Sequence, residues 1–439
     1  MTQYNYISKM IELQDNNLEI KSIEKVDNTI YIFVEYNKIP DNTACPKCNS
    51  VSFHKHGIYN RTIKHIRIGN NESFIILKQI RLLCLDCHKT FTINTPLIDY
   101  RRRVSNQLSK QIIQKCSKKE SFKDISTDVL ISETSVISEF KKNIHEYRCE
   151  LSEVICIDEF KASTIAGKYA LIIGDPIKGT ILDVLPSRTQ DYLLYYFQSI
   201  KKEEILRVKY IVTDLFEPYR SIIHSCFPNV IHIADRFHWI RQATEAFNSQ
   251  RIKTMNFYLK AAENDPNHME KIEFINYAKL LKNNYKLLLS NKCNHESWYY
   301  DQIIKRDKNG NGITMSEIIE RCINKDNDLE EAYHLLQELY QIAKYSTYET
   351  CKNNLERWCE KIDSSEYLIP ELKKVSLTYK SWINEIANSF ILNPETHERM
   401  SNGFIEGKNN FCKVIKRIGF GYKDFDLFRN RIININRNK

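Results

Sequence analysis

The chain has 439 residues, too many for one ordinary core, so several domains are expected. A hydrophobic share of 42% with 20 Phe and 25 Tyr excludes a disordered chain, and no run approaches the roughly 20 apolar residues of a membrane span. The net charge is +9, and residues 44–120 alone hold 15 Lys or Arg against 4 Asp or Glu, a concentrated surplus that points to nucleic acid, with a solubilising surface as the plainer reading.

The opening MTQYNYISKMIELQDNNLEI lacks a cationic stretch followed by an apolar one, so neither a signal peptide nor a membrane anchor is expected. Residues 1–40 read as a short amphipathic start and a strand-like run over Thr29–Glu35. In 41–100, Cys45-Pro-Lys-Cys48 and Cys84-Leu-Asp-Cys87 flank a β-rich stretch with turn residues at Gly57, Asn60 and Gly69-Asn-Asn71. Two knuckles with two thiolates each can close the tetrahedral shell of one structural Zn2+, leaving no open position for catalysis. Thirteen cysteines with only these close pairs suit a reducing cytoplasm better than a disulfide framework. His54, His56 and His88 are near enough to compete as ligands, but four sulfurs suffice.

Across 101–150 the period becomes helical. Arg101, Arg102 and Arg103 are candidate phosphate or minor-groove contacts. Leu108, Ile112 and Ile113 mark a first helix, with others at Phe122–Val129 and Thr134–Ile144, and Ser121 and Asp124 have capping-box spacing. Three short helices in a basic context predict a helix-turn-helix.

Residues 151–250 alternate short apolar strands, ending at Asp158, Ile173, Leu185, Asp214 and Ala234, with helical segments at Tyr192–Leu206 and Tyr219–Cys226. Short turns between the first three strands fit a meander, and the later helices fit parallel crossovers, giving a mixed five-stranded sheet. Asp158 and Asp214 each close an apolar strand, where a carboxylate is either a strand-end cap or a metal ligand. Glu159 is expected on the opposite strand face, orienting a neighbour.

Residues 251–395 are helical in period, with an apolar stripe at Leu329, Ala332, Leu335, Leu336, Leu339, Ile342 and Ala343. Asp307-Lys-Asn-Gly-Asn-Gly312 imitates an EF-hand opening, but Ile318 occupies the place of the bidentate Glu, so a turn is expected. In 396–439 a helix sets Glu406, Asn410, Lys413 and Arg417 on one side, with Phe404, Phe411, Val414 and Ile418 toward the core. A metal-binding carboxylate beside Lys408, Lys413, Lys416 and Arg417 as DNA contacts would suit phosphoryl transfer; an amphipathic helix with a salt-bridged Glu is the plainer reading.

Ile157-Asp-Glu-Phe160, Val212-Thr-Asp214, Ala234-Asp-Arg-Phe-His238 and the tail motifs SNGFIEGKNN, KRIGFGY and FRNRI, in that order, resemble the ISL3-type family of bacterial insertion-sequence transposases from about Cys45 onward. The resemblance implies a multidomain α+β chain: a zinc ribbon and helix-turn-helix, then an RNase H-like mixed-sheet catalytic domain interrupted by an all-α insertion. It puts a DDE triad on Asp158, Asp214 and Glu406, binding two Mg2+ or Mn2+ ions. It makes 251–395 the insertion and 396–439 the carboxyl-terminal part of the catalytic domain. Asp235, at the next strand end, would lie near the metals without binding them, and Arg236 and His238 are structural residues or, as the alternative, contacts to DNA or the triad. The implied partners are double-stranded DNA, as terminal inverted repeats and target, and a second copy of the chain, with no membrane. The implied setting is the bacterial cytoplasm, at the nucleoid when bound to DNA. Two rivals are a transposase-derived regulator that binds DNA without cutting and an RNase H-like nuclease without strand transfer.

Overall fold

In the computed structural model, which describes residues 15–264, 267–306, 310–393 and 396–438, one unit comprises Met1–Tyr147, Ala162–Ala166 and Cys412–Lys439. Its sheet contains β1 (Leu18–Val26), β2 (Thr29–Tyr36), β3 (Phe53–Ile68), β4 (Asn71–Cys84) and β5 (Thr90–Thr92), in the order β1-β2-β4-β3 with β5 also on β4. Alternation sends Ile32, Val34, Ile63, Ile75 and Leu77 to one buried face under Leu97 and Ile98. The turns expected at Gly57 and Asn60 do not form. β3 runs through both as one strand paired to β4, with a register shift between Lys55 and Gly57 that absorbs the irregularity. Gly69, at a φ of +61°, supplies the reversal into β4.

Three helices follow, Asn106–Cys116, Phe122–Val129 and Glu133–Asn143, capped by Ser105, Ser121 and Ser132. The capping box forms as expected: Ser121 Oγ accepts from the Asp124 amide at 2.9 Å, and the Asp124 carboxylate accepts from the Ser121 amide at 3.3 Å. The sequence reading groups 396–439 as one segment, whereas the contacts divide it between Phe411 and Cys412. The reason lies in the helix Phe425–Arg437. Its buried Arg431 donates to the Lys118 and Glu120 carbonyls and lies over the Phe122 and Phe140 rings, and Asn434 donates to the Cys116 carbonyl.

The other unit, Arg148–Lys161 with Gly167–Phe411, holds the second five-stranded sheet. Its strands are β6 (Val154–Thr164), β7 (Gly167–Asp175), β8 (Thr180–Leu185), β9 (Tyr210–Thr213) and β10 (Ile231–Ala234), ordered β10-β9-β6-β7-β8. β6, β9 and β10 are parallel, and β7 and β8 antiparallel. The expected crossovers are present as Gln190–Gln198 with Lys202–Arg207, and Glu217–Cys226. The first is broken near Ser199, where a single helix was expected. Leu193, Phe197, Tyr219 and Ile222 from these helices bury Ile155, Leu171, Ile173 and Ile211 of the sheet.

Beyond β10 the long helix Arg236–Asn264 leads into a mainly helical part whose core includes the whole expected stripe from Leu329 to Ala343. Trp358 is fully buried there and donates from Nε1 to the Leu335 carbonyl at 2.8 Å. This part is not all-α. β11 (Ile303–Arg306) and β12 (Gly312–Thr314) pair antiparallel, with the β-branched Ile303, Ile304, Ile313 and Thr314 favouring strand. Within the expected turn, Asp307, Lys308 and Asn309 lie outside the described residues. No helix among the described residues is long and apolar enough to cross a membrane.

Candidate active site

Strand register brings the carboxylates together. Val154, Ile155 and Cys156 of β6 pair with Tyr210, Ile211 and Val212 of β9, and Ala234 of β10 pairs with Thr213. Continuing that register by two residues on β6 and one on β10 sets Asp158, Asp214 and Asp235 in a row across three adjacent parallel strands, whose spacing is about 4.8 Å. Asp158 does not end its strand, as the sequence suggested. β6 continues to Thr164, and it is β9 that stops, at Thr213.

Two asparagines join this row to the helix Gly403–Ile418, which carries Glu406. The Asn402 amide donates to Asp235 Oδ1 at 2.8 Å, and its side chain donates to the Ile157 carbonyl at 3.3 Å. Asn409 Nδ2 donates to Asp158 Oδ2 at 2.6 Å and to the Glu159 carbonyl at 3.3 Å. Glu406 is exposed. The expected outer side of this helix holds, with Asn410, Lys413 and Arg417 also exposed. Of the expected inner side, Phe411 is buried, Phe404 and Ile418 are half-buried and Val414 is exposed, and Ile405, Asn409, Cys412 and Ile415 complete the buried face. Gly174 on β7 permits the close approach, since a Cβ there would lie 2.6 Å from Ile405 Cδ1 and 2.8 Å from Phe404 Cε1.

The row is electrostatically unbalanced. Burial, reinforced by the Asp214 carboxylate, pushes Asp158 up to about 7. Burial, then Asp235 and Glu159, pushes Asp214 up to about 7 as well. Asp235 is also raised, chiefly by burial, with the Asn402 amide opposing and Glu406 adding to the rise. His238 Nε2 lies 3.1 Å from Asp214 Oδ1 and 3.8 Å from Asp235 Oδ2. Ligand atoms of Asp214, Asp235 and His238 all fall within 4.8 Å of one another. Asp214 Oδ1, Asn402 Oδ1 and Asn409 Oδ1 are sealed from solvent without a hydrogen-bond donor of proper geometry. Unsatisfied acceptors gathered around crowded carboxylates are the donor set a hard divalent cation takes.

Glu159, expected to face away from Asp158, borders a cavity of about 280 Å³ together with Asp214, Tyr219 and His238. Asp158 does not line that cavity, in keeping with the alternation of side chains along β6. Glu159 pairs with Arg188, whose guanidinium lies over Tyr169 at 4.5 Å and Phe216 at 5.8 Å. Arg188, Asn402 and Asn409 were missed in the sequence. For Asn409 the available signal was its spacing of seven from Asn402, two turns along one helix face.

In the other unit, Cys45 and Cys87 Sγ are 3.6 Å apart, Cys48 and Cys84 Sγ are 3.5 Å apart, and all four sulfurs lie within 4.8 Å. Tetrahedral Zn–S bonds of ~2.3 Å imply sulfur separations of ~3.8 Å, so the cluster fits one ion. Hydrogen bonding from the Cys87 amide, foremost, pulls the Cys84 thiol down to about 6. Arg101 and Arg103 are exposed, whereas Arg102 is paired to Glu139 at 2.9 Å. Lys408 lies over the Phe404 ring at 5.1 Å, Lys413 and Arg417 are exposed, and Lys416 is half-buried.

Known proteins resemble this chain along most of its length. Residues 41–87 match the family described as the zinc-finger of transposase IS204/IS1001/IS1096/IS1165. The chain is 20% identical over 388 residues to the transposase for insertion sequence element IS1001 of Bordetella parapertussis, covering 88% of this chain and 86% of that one. A shorter stretch of 127 residues is 25% identical to a Lactococcus lactis subsp. lactis protein named ATP-dependent protease, covering 29% of this chain and 36% of that one. Residues 155–432, well over half of the chain, match the transposase family of the ISL3 type, and the protein belongs to the ISL3 family of transposases.

Proposed function

We propose that the protein cuts DNA at the ends of an insertion sequence and joins the freed 3′ ends to target DNA, with Asp158, Asp214 and Glu406 as the catalytic carboxylates in an RNase H-like domain. The observation that carries this reading is the row of Asp158, Asp214 and Asp235, the first two half-buried and the third buried, that the register of β6, β9 and β10 lines up and that Asn402 and Asn409 tie to the helix bearing Glu406. Two Mg2+ or Mn2+ ions bound there would supply activation of the attacking oxygen and neutralisation of the leaving oxygen. Asn409 orients Asp158 and shields one of its oxygens from solvent. His238, with Nε2 beside both Asp214 and Asp235, holds the two carboxylates in position. Arg188 holds Glu159 at the cavity wall, and exposed Glu406 closes the ligand set from the helix.

Zinc held by Cys45, Cys48, Cys84 and Cys87 fixes the tip of the β3–β4 ribbon. The helix-turn-helix reads double-stranded terminal repeats, with Arg101, Arg103, Lys408, Lys413, Lys416 and Arg417 contacting phosphates. Joining two element ends calls for a homodimer on DNA. The test is single-turnover cleavage of labelled duplex carrying an element end, in Mg2+ and in Mn2+. Wild type nicks the end, and Glu406→Gln loses activity by about a hundredfold or more while duplex affinity is retained. End-specific binding by a wild-type protein that never cuts would instead support the regulator.

A further inference from the structure

The amino-terminal unit has a second basic surface that no residue of its three short helices borders. A groove of about 860 Å³ lies along β3, β4 and β5 and the arginine turn that follows. Its lining includes Arg61, Arg81, Arg101 and Arg103 together with Tyr59 and Tyr100, and no Asp or Glu is found among the described lining residues. Other cations there are tied up, with Lys64 paired to Glu72 and Arg102 to Glu139. Arg61 donates to the Asp99 and Arg102 carbonyls, bonds that leave its charge uncompensated. The rings are not core residues: Tyr59 is 41% and Tyr100 67% exposed. Each sits with a guanidinium, Arg81 at 5.7 Å from the Tyr59 centroid and Arg101 at 5.1 Å from that of Tyr100.

Phosphates alone require only the cations. Exposed aromatic faces spaced along a cationic, concave track also offer stacking surfaces, which paired bases inside a duplex cannot use and unpaired bases can. We propose that this groove holds a single strand of DNA, its phosphates against Arg61, Arg81, Arg101 and Arg103 and its bases on Tyr59 and Tyr100. The inference rests on the DNA-binding reading above and deepens it, giving the phosphates at Arg101 and Arg103 to a single strand and adding Tyr59 and Tyr100 as stacking residues. A strand exposed when an element end is frayed or cut would be its occupant, leaving the helix-turn-helix on the adjoining duplex.

Fluorescence anisotropy of the full chain with labelled oligothymidylate, and in parallel with duplex carrying an element end, tests the assignment. Tyr59→Ala with Tyr100→Ala should weaken oligothymidylate binding by about tenfold or more and leave duplex affinity unchanged, which also shows that the variant is folded. Arg81→Ala with Arg103→Ala should flatten the salt dependence of oligothymidylate binding. Wild type that binds duplex but not oligothymidylate, or tyrosine variants that lose both ligands equally or neither, would overturn the proposal. Wild type that binds neither DNA would overturn the DNA-binding reading as well.

Discussion

At the scale of residues, the central feature is three carboxylates in a row whose charge the chain itself does not balance. Asp158 and Asp214 are raised from an ordinary 3.8 to about 7, so without metal the folded state holds protons that the unfolded state has released. Their contribution to stability is therefore full below about pH 4 and is lost as pH rises through about 7. Mn2+ bound as proposed would take the place of those protons, and the thermal shift it produces should grow from pH 5 to pH 8. Its size is about 2.7 kcal/mol at a hundredfold excess over Kd. In metal-free protein at pH 8, Asp214→Asn should raise Tm by about 2–4 °C and shrink the Mn2+ shift; differential scanning calorimetry reads both. Asp158 and Asp214 were legible because each follows a run of strand-forming apolar residues. Asp235 follows the same kind of run, Ile231–Ala234, yet its equal place in the row emerges only from the register of β10 against β9. The spacing of seven puts Asn402 and Asn409 on one helix face, but their acceptors were illegible because these lie more than 160 residues away in sequence, and an amide carries no local pattern that names a distant acceptor.

At the scale of elements, the approach of the Glu406 helix to the sheet depends on what Gly174 lacks. Gly174→Val drives new atoms into Phe404 and Ile405, at a cost of about 1–3 kcal/mol. DNA cleavage should fall more than duplex binding does, because the helix start carries Glu406, the proposed catalytic carboxylate; equal losses would mean general unfolding. The helix Phe425–Arg437 has a different task. Arg431→Met removes the donor from the Lys118 and Glu120 carbonyls and the cation from two aromatic faces, and should cost about 2–3 kcal/mol by denaturant titration, with weakened duplex binding. The three short helices were readable from their serine caps and apolar spacing, which are local signals. β3 was not readable as one strand, since Gly57 and Asn60 signal turns locally and only pairing with β4 carries the backbone through them. The β11–β12 pair was hidden for the opposite reason, being a few residues of strand within a long helical stretch.

At the scale of the whole molecule, the family and the order of its parts were legible from motifs, while the division of the carboxyl-terminal segment was not. KRIGFGY and FRNRI follow the Glu406 motif in sequence, but most of that stretch packs with the amino-terminal unit. Chelation should remove one zinc ion per chain, measured by elemental analysis, and weaken duplex binding; Cys84→Ser should reproduce both effects without changing the carboxylate row. If this row and Glu406 cut DNA with the help of divalent cations, Mn2+-dependent cleavage of a labelled element end by wild type and by Asp214→Asn, with duplex affinity measured on the same samples, will separate the two proteins. Wild type should nick at the end, and the nicking should vanish in Asp214→Asn while both proteins bind DNA equally. Undiminished, metal-dependent nicking by Asp214→Asn would contradict that role of the row.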